Sequence, residues 1–170
     1  QDVKMGNDNL QPLLDKFITL SSQRPIADLV IWPESALPIL LSDNKVIRKY
    51  IMNSIIGDSS LLTGNIRIDE EGLFRNSSFL INEDSKIISA YDKIHLVPFG
   101  EYLPFLTAIN NLKFLRAITS DDGFSRGLSY EPIQTPIGLA RVLICYEIIF
   151  SREIMQSKHR PDLLINITND

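Results

Sequence analysis

Three apolar runs in this chain each stop at a residue able to do chemistry, and that repetition is the tightest constraint on its fold. The run 28–32 reads Asp-Leu-Val-Ile-Trp, is halted by Pro33, and is followed by Glu34. The run 86–91 reads Lys-Ile-Ile-Ser-Ala-Tyr and leads to Lys93. The run 139–144 reads Leu-Ala-Arg-Val-Leu-Ile and ends on Cys145, the only cysteine of the chain. Short apolar runs bounded by breakers read as buried strands, and a proline cannot continue a hydrogen-bonded ladder. A carboxylate, an ammonium and a thiol at three strand ends can converge at one edge of a sheet, where open α/β folds place their chemistry.

The rest of the chain fits such layering. Leu10, Leu13, Leu14, Phe17 and Ile18 have helical spacing over 8–22, with Asp8 as cap. Val46, Ile47, Tyr50, Ile51 and Ile55 mark a second amphipathic helix opened by Asp43. Strands are predicted at 61–68, 73–82, 86–91, 131–135, 139–145 and 162–168, with turn chemistry at 69–72 and 82–85. A short helix is expected over 106–116, a loop over 117–130, and a helix over 148–158 after the thiol. Helix, strand, helix and then a run of strands points to an α/β fold. There is no internal repeat or low-complexity tract.

Composition narrows the function classes. The 170 residues suggest one domain, 44% hydrophobic and 22% charged, an ordinary globular balance. A net charge of −4 supplies no basic stripe to neutralise phosphates, so a nucleic-acid partner is not expected. One cysteine leaves no intrachain disulfide, and His95 and His159 make no metal-ligand pattern with it, so neither metal nor cofactor is expected. No stretch approaches the roughly 18 apolar residues that span a bilayer. The chain lacks an initiator methionine and stops within a strand-like run, which reads as a piece of a longer protein.

Taken singly, each reactive residue has an ordinary explanation: a small hydrophobe in a core for Cys145, a solvated carboxylate for Glu34, a surface charge for Lys93. Taken together they form a chemical unit. A thiol is mostly protonated at neutral pH and needs a base or a cationic neighbour to become a nucleophile. Glu34 can supply the base. Lys93 can supply the charge and, with the backbone N–H after Cys145, hold an oxyanion.

The wording around these residues carries a resemblance. Glu34, Lys93 and Cys145 follow the order and context of the nitrilase superfamily's Glu-Lys-Cys triad. Trp-Pro-Glu-Ser at 32–35, His-Leu-Val-Pro-Phe-Gly-Glu-Tyr-Leu-Pro at 95–104 and Ile-Cys-Tyr-Glu at 144–147 resemble, more narrowly, the apolipoprotein N-acyltransferase family. The likeness covers nearly the whole chain, and the run at 95–104 is its specific part. It implies a nitrilase-like α-β-β-α sandwich, here truncated, with chain 1–170 a partial catalytic (carbon-nitrogen hydrolase) domain whose flanking transmembrane regions lie outside it. It implies general base Glu34, electrostatic stabiliser Lys93 and nucleophile Cys145, supported by Glu101, Tyr146 and Glu147. Glu101 would orient Lys93 or the incoming amine; its ordinary alternative is a loop carboxylate capping nearby N–H groups. His95 reads as a structural hydrogen-bonder, because the triad already has a base.

The implied reaction is a ping-pong acyl transfer. A phospholipid donates a fatty acyl chain to Cys145, and the α-amino group of a diacylglyceryl-cysteine lipoprotein takes it from the thioester. The implied location is the bacterial inner membrane, with this domain on the periplasmic side. Apolar residues of the 96–106 loop, among them Phe99 and Leu103, suit an acyl-lined mouth, although several can simply pack beneath the loop. Met5 stands where the family usually has a tryptophan; it keeps apolar packing but loses any aromatic role. The family also continues past Asp170 into a segment that closes the site. A soluble nitrilase-type amidase would use the same triad with water as acceptor, and a glutamine-dependent amidotransferase module or a non-enzymatic binding domain are further alternatives. Flanking hydrophobic spans would separate them.

Overall fold

The computed structural model describes residues 10–55, 57–97, 123–150, 152 and 156–169. Chain order is α1 (Leu10–Ser21), β1 (Leu29–Ile31), α2 (Lys45–Ser54), β2 (Ser60–Ile68), β3 (Phe74–Ile81), β4 (Ile87–Asp92), β5 (Ile133–Thr135), β6 (Gly138–Ile144), a 3-10 helix (Cys145–Ile149) and β7 (Leu163–Ile167).

The two helices form where their apolar spacing predicts, with Val46 and Tyr50 of the second turned to solvent and Asp8, the expected cap of the first, outside the described residues. Leu10 and Leu14 are buried on α1, and Ile47, Ile51 and Met52 on α2. The cap of α2 is Asn44, not Asp43: Asn44 Oδ1 accepts the Ile47 N–H at 3.0 Å, the bond an N-cap must make to the third helical residue. Of the helix expected over 148–158, residues 151 and 153–155 lie outside the described residues, and its described start is a 3-10 turn. The helical turn begins at the thiol itself and closes at Ile149, with Phe150 N donating to Glu147 O. The helix expected over 106–116 lies outside the described residues.

The strands make two sheets. The first runs β1-β2-β3-β4, with β1 parallel to β2 and the rest antiparallel. The second runs β5-β6-β7, antiparallel and then parallel. β2 is buried along nearly its whole length, which a strand covered on both faces requires. On one face Leu61, Phe79, Ile81 and Trp32 pack under α1 and α2. On the other, Leu62, Leu80 and Tyr91 meet Ile133, Ala140, Val142, Ile144 and Ile167 of the second sheet. Helices, sheet and second sheet are therefore three successive layers of an α/β fold, the inner part of the expected sandwich.

One buried polar side chain shapes the region around Glu34. Asn65 on β2 accepts from Leu41 N at 3.0 Å and donates to Leu37 O at 3.1 Å. A buried amide satisfied at both ends pins the 37–41 loop to the sheet, because breaking either bond would strand a polar group in the core.

Candidate active site

Glu34 is held by a chain that keeps tracking β2 after the strand proper has ended. Trp32 N donates to Leu62 O at 2.8 Å, Gly64 N to Pro33 O at 3.1 Å and Ala36 N to Gly64 O at 3.1 Å. Proline cannot donate, but its carbonyl still accepts, so the ladder survives across it. The approach needs a glycine: a Cβ on Gly64 would lie 2.5 Å from Glu34 Cα and 2.9 Å from Pro33 O. Glu34 is buried, and Asn76 Nδ2 on β3 donates to its Oε1 at 2.7 Å.

Lys93 follows β4 directly and is 1% exposed, which for a lysine demands a specific environment. Its backbone is clamped on both sides, with Lys93 N donating to Asn76 O and Gly127 N donating to Lys93 O, each at 2.8 Å. Gly127 passes so near that a Cβ there would sit 2.1 Å from Asp92 O. Lys93 Nζ stands 3.4 Å from Glu34 Oε1. Asn76 thus serves both charges, Glu34 with its side chain and Lys93 with its carbonyl.

Cys145 sits where β6 turns into the 3-10 helix, with φ +55°. A left-handed cysteine is strained and persists only where its surroundings impose it. Two side chains do so. Asn166 on β7, in the amide orientation that satisfies its neighbours, donates to Cys145 O at 3.2 Å and Leu143 O at 3.3 Å. Glu147, 3% exposed, takes Ile144 N at 2.8 Å on one oxygen. On the other it takes Ile94 N at 2.8 Å and His95 N at 3.1 Å, while the Tyr91 hydroxyl donates to both oxygens at 2.9 and 3.0 Å. One carboxylate therefore ties the residue before the thiol to the two residues after Lys93. The thiol packs in the intersheet core with Tyr91, Ile94, Ile144 and Ile167. Burial, with the Glu147 charge added, pushes the Tyr91 phenol well above its usual range, so it stays a donor.

The structure thus places Glu34, Lys93 and Cys145 at strand ends, brings Glu34 and Lys93 into contact, and links the Lys93 and Cys145 segments through Glu147. Tyr146 is 47% exposed and meets Phe150 edge-on at 5.7 Å between ring centroids. His95 stacks on Phe150 at 4.0 Å. Met5, Phe99, Glu101 and Leu103 lie outside the described residues. Sequence reading missed Asn76 and Tyr91. A signal existed for Asn76, since a polar Asn-Ser-Ser run interrupts an otherwise buried strand at 76–78. Tyr91 carried none, because aromatic residues are common in strands. A cavity of about 290 Å³ is lined by Arg67, Arg75, Tyr91, Asp92 and Glu131 among others, and by none of Glu34, Lys93 and Cys145. Among the described residues no group of histidine, cysteine and acidic side chains could hold a metal ion.

A buried Glu–Lys pair, and a strained thiol whose turn Glu147 ties to the segment after that lysine, at the ends of strands in two stacked sheets point to a class. The carbon-nitrogen hydrolase family model matches residues 6–170, and the chain belongs to that family. Its fold is that of the nitrilase superfamily. The chain superimposes on a carbon-nitrogen hydrolase from Helicobacter pylori with a TM-score of 0.64 at 17% identity, over 95% of this chain and 56% of that one. An amidase from a Nesterenkonia species superimposes with a TM-score of 0.63 at 17% identity, over 94% of this chain and 58% of the other. Closer relatives by sequence carry a narrower name. A protein of Rhizobium rhizogenes named apolipoprotein N-acyltransferase is 36% identical over 93% of this chain and 32% of its own length. One of Rhizobium leguminosarum bv. trifolii with the same name is 35% identical over the whole chain and 34% of its own length. The chain spans about a third of the length of these curated relatives.

Proposed function

We propose that this chain forms the catalytic part of an N-acyltransferase that completes lipoprotein maturation, with Cys145 as nucleophile, Glu34 as general base and Lys93 as electrostatic stabiliser. The observation that carries the reading is the buried Glu34–Lys93 pair, tied through Asn76 and Glu147 to a left-handed cysteine. Support for an acyltransferase over other users of the triad comes from the names of relatives 31–36% identical to it.

The chemistry follows from those positions. Glu34 takes the Cys145 proton as Sγ attacks the ester carbonyl of a phospholipid. The oxyanion of the tetrahedral intermediate is met by the Lys93 ammonium and by the Tyr146 N–H at the start of the 3-10 helix. Collapse breaks the ester C–O bond, Glu34 returns its proton to the departing lysophospholipid oxygen, and a thioester remains. The α-amino group of a diacylglyceryl-cysteine then attacks, Glu34 accepts its proton, the C–S bond breaks, Glu34 returns the proton to the departing Cys145 sulfur, and an amide remains. An amine acceptor requires that water be kept from the thioester, which is the task assigned to the apolar 96–106 segment, with Phe99 and Leu103 against the acyl chain. Glu101 orients Lys93 or the amine, and Met5 packs at the mouth. The protein works at the bacterial inner membrane with this domain on the periplasmic side, anchored by regions beyond this chain. Among the described residues no helix is long and apolar enough to cross a membrane.

The test is acyl labelling of the full-length protein with a radiolabelled phospholipid. Wild type should accumulate a hydroxylamine-labile acyl group and Cys145→Ala should accumulate none. Labelling of Cys145→Ala at the wild-type level would remove the thiol from the mechanism. Release of the acyl chain to water, with no transfer to a diacylated lipopeptide, would favour the hydrolytic reading instead.

A further inference from the structure

Arg141 on β6 is 2% exposed, an uncommon place for a guanidinium. Its Cζ lies 5.0 Å from the centroid of the Tyr91 ring and 5.2 Å from that of Tyr130. Nη1 donates to Tyr130 O, while Nε meets no acceptor among the described residues. No carboxylate is bonded to it among the described residues, so hydrogen bonding does not explain why the charge is buried. Charge balance does. The cations buried among the described residues are Lys93 and Arg141, and the buried acids are Glu34 and Glu147. Lys93 stands against Glu34. Arg141 and Glu147 both meet Tyr91, with its ring against the guanidinium and its hydroxyl on the carboxylate. A buried charge is tolerated when an opposite charge shares its low-dielectric surroundings. A cation over an aromatic face gains most when both are desolvated.

We propose that Arg141 is a positioning residue for the thiol-bearing turn: clamped between Tyr91 and Tyr130, it holds the Tyr91 phenol on Glu147 and so keeps Glu147 locked on the N–H groups beside Lys93 and Cys145. Its catalytic consequence rests on reading Cys145 as the nucleophile; its structural consequence does not. Losing the charge frees Tyr91, leaves Glu147 uncompensated, and loosens the amides of Ile94, His95 and Ile144.

The experiment compares full-length wild type with Arg141→Met, Arg141→Lys and Tyr91→Phe. Hydrogen exchange is read at the Ile94, His95 and Ile144 amides, and iodoacetamide alkylation of Cys145 is followed against pH. Arg141→Met should speed exchange at those three amides about tenfold while Leu80 and Val142 stay protected. Alkylation at neutral pH should slow about tenfold, its midpoint moving up by about one pH unit. Arg141→Lys should recover part of the alkylation rate, because it keeps the charge without the planar stacking. Wild-type exchange at the three amides in a folded Arg141→Met would overturn the proposal. If Arg141→Met does not fold, the near-isosteric Tyr91→Phe decides: faster exchange confined to those amides supports the link, and unchanged exchange overturns it. Absence of a thioester in the wild-type protein would count against Cys145 as nucleophile, and the exchange data would still judge Arg141.

Discussion

Asp92 and Lys93 are neighbours in sequence, and each faces a buried or half-buried opposite charge, yet the two ion pairs are built differently. Asp92 takes Arg67 in a fork, Nε to Oδ1 at 2.8 Å and Nη2 to Oδ2 at 2.5 Å, and Ser77 adds a third donor at 2.7 Å. Lys93 and Glu34 are more deeply buried but stand 3.4 Å apart, long for a charge-assisted bond. The tight pair lies at the partly exposed side of β4, with side chains 26% and 18% exposed. The looser pair lies where the proposed chemistry would take place. The lesson is about division of labour. A two-point fork fixes a strand end, while the Lys93–Glu34 contact sets an ammonium against a carboxylate that Asn76 already holds. Asp92 holds the end of β4, and Lys93 is the next residue.

That contrast can be broken by experiment. The largest effect is expected at the loose pair. Lys93→Arg keeps the charge but moves it and spreads it over a larger planar group, so acyl transfer should fall by about a thousandfold, close to the loss in Lys93→Ala. Transfer rates near wild type in Lys93→Arg would mean that only a diffuse positive potential is needed.

Next comes the backbone that places Glu34. Gly64→Ala forces a methyl to within 2.5 Å of Glu34 Cα, and a displacement of that kind should cost on the order of a hundredfold in transfer rate. The check is the pH–rate profile beside thermal unfolding. An unchanged rate in a stably folded variant would show that Glu34 needs no such exact seat.

The tight pair should respond in stability rather than chemistry. Burial pushes the Asp92 carboxyl up, but the Arg67 hydrogen bond, with Ser77 and the Arg67 charge, outweighs it and holds Asp92 below its usual 3.8. The folded state therefore prefers charged Asp92. The stability this confers is fully present above about pH 4 and is lost as pH falls through the lower folded-state value. Asp92→Asn should cost about 2 kcal/mol at neutral pH, with most of that difference gone near pH 2, and should leave the per-molecule transfer rate within about threefold. Urea unfolding at several pH values measures it, and a pH-independent difference would mean that the fork contributes no charge-dependent stability.

The smallest effect belongs to Lys86–Asp84, whose side chains are 71% and 63% exposed at 3.1 Å. Lys86→Ala should change stability by less than about 0.5 kcal/mol and transfer not at all. A larger change would mean that exposed pairing along β4 matters more than the contrast allows.

Much of the fold was legible because its signals are local. Alternation and breakers in sequence located all seven described strands to within a few residues, since half-buried strands alternate and strands buried on both faces read as apolar runs. Glu34, Lys93 and Cys145 could be picked out because each breaks such a run. The misassigned helix start, Asp43 for Asn44, reflects two adjacent residues equally able to cap; only the reach to Ile47 separates them. The 3-10 turn that begins at Cys145 was not legible in sequence, because Glu147 folds back onto Ile144 N and also answers to Ile94 and His95 on another strand end.

By itself, then, the sequence determined the strand-end placement of a base, a cation and a thiol, and with it the class of fold. It could do so because hydrophobic periodicity and chain breakers act within a few residues. Only the tertiary structure decided that Asn76 serves both Glu34 and Lys93, that Gly64 and Gly127 admit a backbone too close for any side chain, and that Glu147 joins two strand ends under a buried Arg141. Those contacts join residues up to 59 positions apart, as with Lys93 and Glu34. Their partners are selected by burial and by the need to satisfy every buried polar group, neither of which exists until the sheets have stacked.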